Sequence, residues 1–252
     1  MDAPRARSFR RTVRIGLGMI TAVLLTAAGL AVATPASADV STDARPQGID
    51  VSHFQGNIDW KKAKKDGVQF AWIKATEGTG YTDPKFGANY RGAYKAGVIR
   101  GAYHFARPGS SGGGAQAKYF VKHGGAWSAD GKTLPGALDL EAGCSGLSQK
   151  QMRNWISDFH DTYLAKTGRH VVIYTTASWW KSCTGGWKGL GKKSPMWVAH
   201  WGVSTPSVPN GWSTWTAWQY TSGGHVNGVS GKVDRNRFNG SRDRLVALAN
   251  NK

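Results

Sequence analysis

Eight short apolar or β-branched runs recur along this chain, and helical patterns separate them through its first half. That alternation constrains the fold more than any other feature. The runs are 47–52 (QGIDVS), 70–77 (FAWIKATE), 99–106 (IRGAYHFA), 134–141 (LPGALDLE), 171–176 (VVIYTT), 196–201 (MWVAHW), 214–221 (TWTAWQYT) and 233–238 (VDRNRF). Helical patterns cover 58–66, 84–96, 114–123, 148–166 and 241–249. Ser148 with Gln151 reads as a capping box opening the longest of these, and Gly168 as its C-terminal stop. Strands that alternate with helices imply a parallel sheet. Beyond the fifth run the gaps are short or Gly-rich. The expected fold is therefore α/β: an irregular eight-stranded (β/α) barrel, TIM-barrel-like, with helices reduced among the last strands and loops or hairpins in their place.

The barrel does not use the whole chain. Residues 1–14 carry five arginines and one aspartate, residues 15–33 are uncharged and apolar, and Ala36-Ser37-Ala38 supplies an A-x-A site. This order reads as a secretory signal peptide over 1–38. A membrane anchor is the alternative, because the apolar run is long enough to span. Cleavage leaves 39–252 as a single domain, without linker or repeat, expected to be soluble, secreted and monomeric. It also lowers the formal charge from +18 to +14. Such a charge attracts polyanions: nucleic acid, a membrane surface or an anionic cell wall. Export favours the wall over nucleic acid, and no stable membrane association is expected after cleavage. The two cysteines, Cys144 and Cys183, suggest one disulfide in an exported protein.

In a barrel of this kind the chemistry sits at the C-terminal ends of the strands. The first run ends with Asp50 and leads to His53, the second ends with Glu77, and the third carries Tyr103 and His104. The fourth ends with Asp139 and Glu141, the fifth carries Tyr174, the sixth ends in His200-Trp201 and the seventh holds Gln219. Asp234 opens the eighth run instead of closing it, which points to a boundary set a few residues late.

Asp139 and Glu141 are two apart, so in a strand they share one face while Leu138 and Leu140 take the other. Two carboxylates in one low-dielectric site cannot both ionise easily, and one pKa rises. An acid that stays protonated beside a base that does not is what glycoside hydrolysis requires. No Lys or Arg adjacent in the sequence neutralises the pair. A solvated D-x-E at a strand end is the plain alternative. A hard cation held by Asp50, Asp139, Glu141 and Asp234 is a third reading. Zinc is disfavoured, since the histidines form no H-x-x-x-H pair. No cofactor is expected. Of Trp201, Trp212, Trp215 and Trp218, near the late strand ends, Trp201 is the chosen platform for a sugar face.

GIDVSHFQGNIDW, WIKATEG, GAYHFARP, ALDLEAG, AWQYT and VDRNRF occur in this order between Gln47 and Phe238. Together they resemble the glycoside hydrolase family 25 lysozymes, the Chalaropsis-type muramidases. The resemblance implies hydrolysis of the β-1,4 bond between N-acetylmuramic acid and N-acetylglucosamine in bacterial peptidoglycan, with retention. It implies that Glu141 is the general acid/base, that Asp139 is its partner carboxylate, and that Asp50 and Asp234 orient the pair and the substrate. Glu77 and Tyr103 fall in motifs near the groove, and Trp201 stands where the family typically has tyrosine. Two rival readings stay open: a non-catalytic wall-binding barrel and a metal-dependent carbohydrate deacetylase.

Overall fold

The computed structural model describes residues 45–251, so the expected signal segment 1–38 lies outside the described residues. The strands are β1 (Gln47–Val51), β2 (Val68–Glu77), β3 (Tyr81–Thr82), β4 (Ile99–Phe105), β5 (Ala137–Asp139), β6 (Val172–Thr175), β7 (Met196–Ala199), β8 (Ala217–Gly224) and β9 (Val233–Phe238). The helices are α1 (Trp60–Lys65), α2 (Phe86–Lys95), α3 (Gly113–Phe120), α4 (Gln149–Thr167), α5 (Ala177–Thr184) and α6 (Arg242–Asn250). The sheet runs β1-β9-β8-β7-β6-β5-β4-β2, and β1 also pairs with β2, which closes it into a barrel of eight strands. Two-residue β3 merely folds back on the end of β2.

Each of the eight expected strands is present. The helical expectation missed α5, a two-turn helix behind β6. Strands β1, β2 and β4–β8 are mutually parallel, whereas β9 is antiparallel to both of its neighbours. This corrects the reading of Asp234. The boundary of the last strand is where the sequence pattern puts it. Because β9 runs backwards, its first residues lie at the end where the other strands finish, and Asp50 pairs in register with Asp234.

Alternation along the strands sorts residues into two apolar layers. Phe70, Trp72, Val172, Tyr174, Trp197 and Phe238 fill the barrel interior. Leu138, Leu140, Ile173, Val198, Phe159 and Trp180 pack between barrel and helices. A Cβ on Gly48 would stand 2.5 Å from the Phe70 ring, and one on Gly101 2.7 Å from the Trp72 indole, so glycine at both positions makes room for the large rings between them. The longest helix, α4, is bounded as its sequence indicates. Ser148 and Gln151 form the reciprocal capping box, and Gly168 ends it in the left-handed region at φ 69°. Among the described residues no helix is long and apolar enough to cross a membrane.

Candidate active site

At the C-terminal end of the parallel strands, Asp50, Asp139, Glu141 and Asp234 line one cavity of about 260 Å³ with Tyr103 and Tyr174. Each acid arrives by strand geometry. Asp50 and Asp139 point inward because Ile49 and Leu138 point outward. Glu141 follows the end of β5, one residue beyond Leu140, whose N–H donates to the carbonyl of Tyr174 at 3.0 Å and prolongs the strand pairing.

Asp50 is the most firmly held of the four acids. Gln219 Nε2 donates to both oxygens of Asp50, at 3.2 and 3.0 Å, and Asn236 Nδ2 donates at 2.7 Å. The Oε1 of Gln219 accepts from the Tyr174 hydroxyl at 3.0 Å and from the Trp201 indole at 2.9 Å. Trp197 in turn donates to Asn236 Oδ1 at 2.7 Å. Asp139 contrasts with Asp50: it is 6 % exposed, and its Oδ1 is buried with no hydrogen-bond partner.

All four carboxyls are pushed up from the usual range. Burial is the main cause at Asp50, followed by the charge of Asp234, while the amide donors of Asn236 and Gln219 pull the other way. Burial also dominates at Asp139, with Glu141 and Asp50 adding repulsion and Lys74 opposing it. Asp234 is raised to about 6 by burial and by Glu141, against a hydrogen bond with Asp50. Glu141 is raised less strongly, by partial burial opposed by Lys74 and Arg107, in keeping with its exposed position at the rim. Crowded acids in a poorly solvated site retain protons that isolated ones would lose.

The cation that the sequence did not reveal is Lys74, 7 % exposed and lining the same cavity. A bulge in the β2–β4 pairing between Lys74 and Thr76 resets the alternation of β2. It turns Lys74 and Glu77 to one side, where they pair at 2.6 Å. Glu77, expected to contact substrate, lies outside the cavity lining and bridges Lys74 to Arg107, whose Nε donates to it at 2.7 Å. His104 turns outward, bonded to Thr76 and Gln116, and burial lowers it to about 4. His53 is tied to Asp83 at 3.0 Å beside the cavity. Among the described residues no group of three or more His, Cys, Asp or Glu is arranged to hold a metal ion. At Asp50 a cation would have to displace three amide contacts.

Of the four late tryptophans only Trp201, 54 % exposed, reaches this cavity. Trp218 packs in the outer layer, and Trp212 and Trp215 lie at the opposite end of the barrel. Three aromatic lining residues went unnoticed in the sequence. Trp197 and Phe105 looked like ordinary strand residues, and Phe54, 82 % exposed, sits in a turn after β1. A large apolar side chain two residues into a capped turn was the available signal for Phe54. Asn236, inside VDRNRF, carried none.

Residues 49–229 match the glycosyl hydrolases family 25, a stretch that holds Asp50, Asp139 and Glu141. The chain belongs to glycosyl hydrolase family 25. It is 64% identical over 210 residues to lysozyme M1 of Streptomyces globisporus, covering 81% of this chain and 71% of that one. It is 46% identical over 201 residues to an N,O-diacetylmuramidase of Chalaropsis sp, covering 75% and 95%. Among solved structures, a bacterial lysozyme from Streptomyces coelicolor superposes with a TM-score of 0.80 at 64% identity, over 81% of this chain and 97% of that one.

In this family 25 barrel the segment bearing Glu141 is fixed from several sides. The Thr175 hydroxyl donates to the Leu140 carbonyl at 2.8 Å, just before it. Just after it, the Trp179 indole donates to the Gly143 carbonyl at 3.1 Å. Cys144 is disulfide-bonded to Cys183 of α5, with Cα atoms 5.2 Å apart, as the two-cysteine count led one to expect.

Proposed function

We propose that this family 25 barrel is a secreted, extracellular muramidase. In this reading the mature chain, 39–252, acts as a single-domain monomer on peptidoglycan and hydrolyses the β-1,4 bond between N-acetylmuramic acid and N-acetylglucosamine. The observation that carries the proposal is the gathering of Asp139 and Glu141 with Asp50 and Asp234 in one groove, flanked by an anchored indole. Glu141, at the rim, is the general acid: it protonates the leaving glycosidic oxygen and then takes a proton from water. Substrate covering the rim strips solvent from Glu141, and burial favours its protonated form.

Asp139 serves the other half of the reaction. Its Oδ1 is buried without a hydrogen-bond partner in the fold, which leaves it to accept from the N–H of the sugar's own acetamido group. That contact steadies the acetamido oxygen as it attacks the anomeric carbon, and water opening the resulting ring gives net retention. Asp50, clamped by Gln219 and Asn236, and Asp234 opposite it keep the groove acidic and orient the pair. Trp201 offers its face to a sugar ring while its N–H stays on Gln219.

The test is mass spectrometry of soluble products from purified peptidoglycan, with the wild type and Glu141→Gln. Muropeptides with muramic acid at the new reducing end are expected from the wild type, and turnover by the variant should fall at least about a hundredfold. Absence of products from both proteins would leave a wall-binding barrel. Equal products from both would move the acid away from Glu141.

A further inference from the structure

The end of the barrel opposite the carboxylates has its own cavity, of about 410 Å³. Chain direction places it there. Ser194 and Pro195 lead into β7, Trp215 and Thr216 lead into β8, and Asn239 follows the reversed β9. α6 completes the wall with Arg244.

Its chemistry is the inverse of the catalytic groove. Lys192, Lys193 and Arg244 line it, and no carboxylate does. None of the three enters an ion pair among the described residues. Ser194 is 4 % exposed, and its Oγ is buried with no hydrogen-bond partner. A buried hydroxyl normally finds a partner, so an orphan on a cavity wall is a donor waiting for an acceptor. Two indoles stand beside it. Trp212 is locked by its N–H, which donates to the Ser194 carbonyl at 2.7 Å, and Trp215 carries the Arg45 guanidinium over its ring at 5.7 Å.

We propose that this cavity is a second binding site that takes the phosphodiester backbone of an anionic polyol-phosphate wall polymer. The phosphate oxygens accept from Ser194 Oγ and from the three cations. The polyol C–H groups pack on the partly exposed Trp212 indole. The acidic groove at the other end repels the same polymer, so the two ends bind different components and do not compete. The choice of a wall polymer rests on the muramidase reading, but the site itself does not.

The experiment is titration of oligo(glycerol phosphate) of defined length into the mature protein. Three variants accompany it: Lys192→Ala/Lys193→Ala/Arg244→Ala, Ser194→Ala, and a control of equal charge loss, Lys118→Ala/Lys122→Ala/Lys150→Ala. The site triple variant should bind about tenfold more weakly, as loss of three exposed ionic contacts implies. Ser194→Ala should weaken binding about threefold, and the control triple variant should keep wild-type affinity. Turnover on peptidoglycan stripped of anionic polymer should be the same in all four proteins. Equal losses in both triple variants would overturn the proposal in favour of diffuse charge. Equal affinity for a single-stranded DNA oligonucleotide of matched charge would overturn it in favour of a general polyanion surface. Binding by a protein with no muramidase activity would defeat the proposed function and leave this site standing, and the converse result would do the reverse.

Discussion

Gln219 joins Trp201 to Asp50: its carbonyl oxygen accepts from the indole at 2.9 Å, and its amide donates to both carboxylate oxygens. One side chain thereby couples the exposed Trp201 indole to a buried acid of the cavity. Gln219→Leu removes all of these bonds and the one to Tyr174 at once. It should cost about 2–4 kcal/mol of stability, because several buried polar groups lose their partner together. With Trp201 no longer fixed, KM for peptidoglycan fragments should rise roughly fivefold, the equivalent of about 1 kcal/mol. Denaturant unfolding and steady-state kinetics measure the two effects, and an unchanged KM would detach Trp201 from substrate binding.

Lys74 is the one cation that lowers both Asp139 and Glu141. Its replacement by methionine keeps the length of the side chain and deletes the charge. Both carboxyls then ionise less readily, so both limbs of the pH–rate profile should move to higher pH. A profile that stays in place, or moves to lower pH, would show that Lys74 does not tune the pair.

Asp234 ties stability to pH. Its carboxyl titrates near 3.8 in an unfolded chain and at about 6 in the fold. Between those values the native state holds a proton that the unfolded state releases. This group's contribution therefore falls as pH rises through that window, and it does not recover above it. Asp234→Asn should flatten that slope and gain on the order of 1 kcal/mol above the window, a modest figure because the side chain is partly solvated. Thermal melts of both proteins across the window provide the check. A variant that tracks the wild type at every pH would rule the linkage out.

The bridge between Cys144 and Cys183 spans a sequence separation of 39. Its removal by paired Cys→Ala substitution should lower stability by about 3–4 kcal/mol through unfolded-chain entropy. Turnover at low temperature should fall less, since the Thr175 and Trp179 contacts still hold the Glu141 segment. Chemical denaturation with and without reductant separates the two contributions.

The strands were legible because barrel strands must be apolar on both faces, and that leaves dense runs even in a Gly-rich chain. Asp139 and Glu141 were legible through the period of two. What escaped has physical reasons. Alternation carries no arrow, so VDRNRF could not reveal that β9 runs backwards, and Asp234 looked misplaced when it was not. The bulge after Lys74 has no compositional mark, so WIKATE hid a cation aimed into the groove and a Glu77 committed to holding it. Helix α5, ASWWKSCT, is short and is capped by Thr176 without a reciprocal capping box, and its paired tryptophans mask the helical period.

Closure of the barrel by pairing of β1 with β9 has a consequence for the life of the chain. Asp50 comes from the first strand and Asp234 from the last, so the acid cluster is assembled only when the C-terminal segment has docked. A chain still emerging from the ribosome carries Asp139 and Glu141 but has no groove to hold them. The four-acid site is thus complete only once the last strand has been made and has paired with the first.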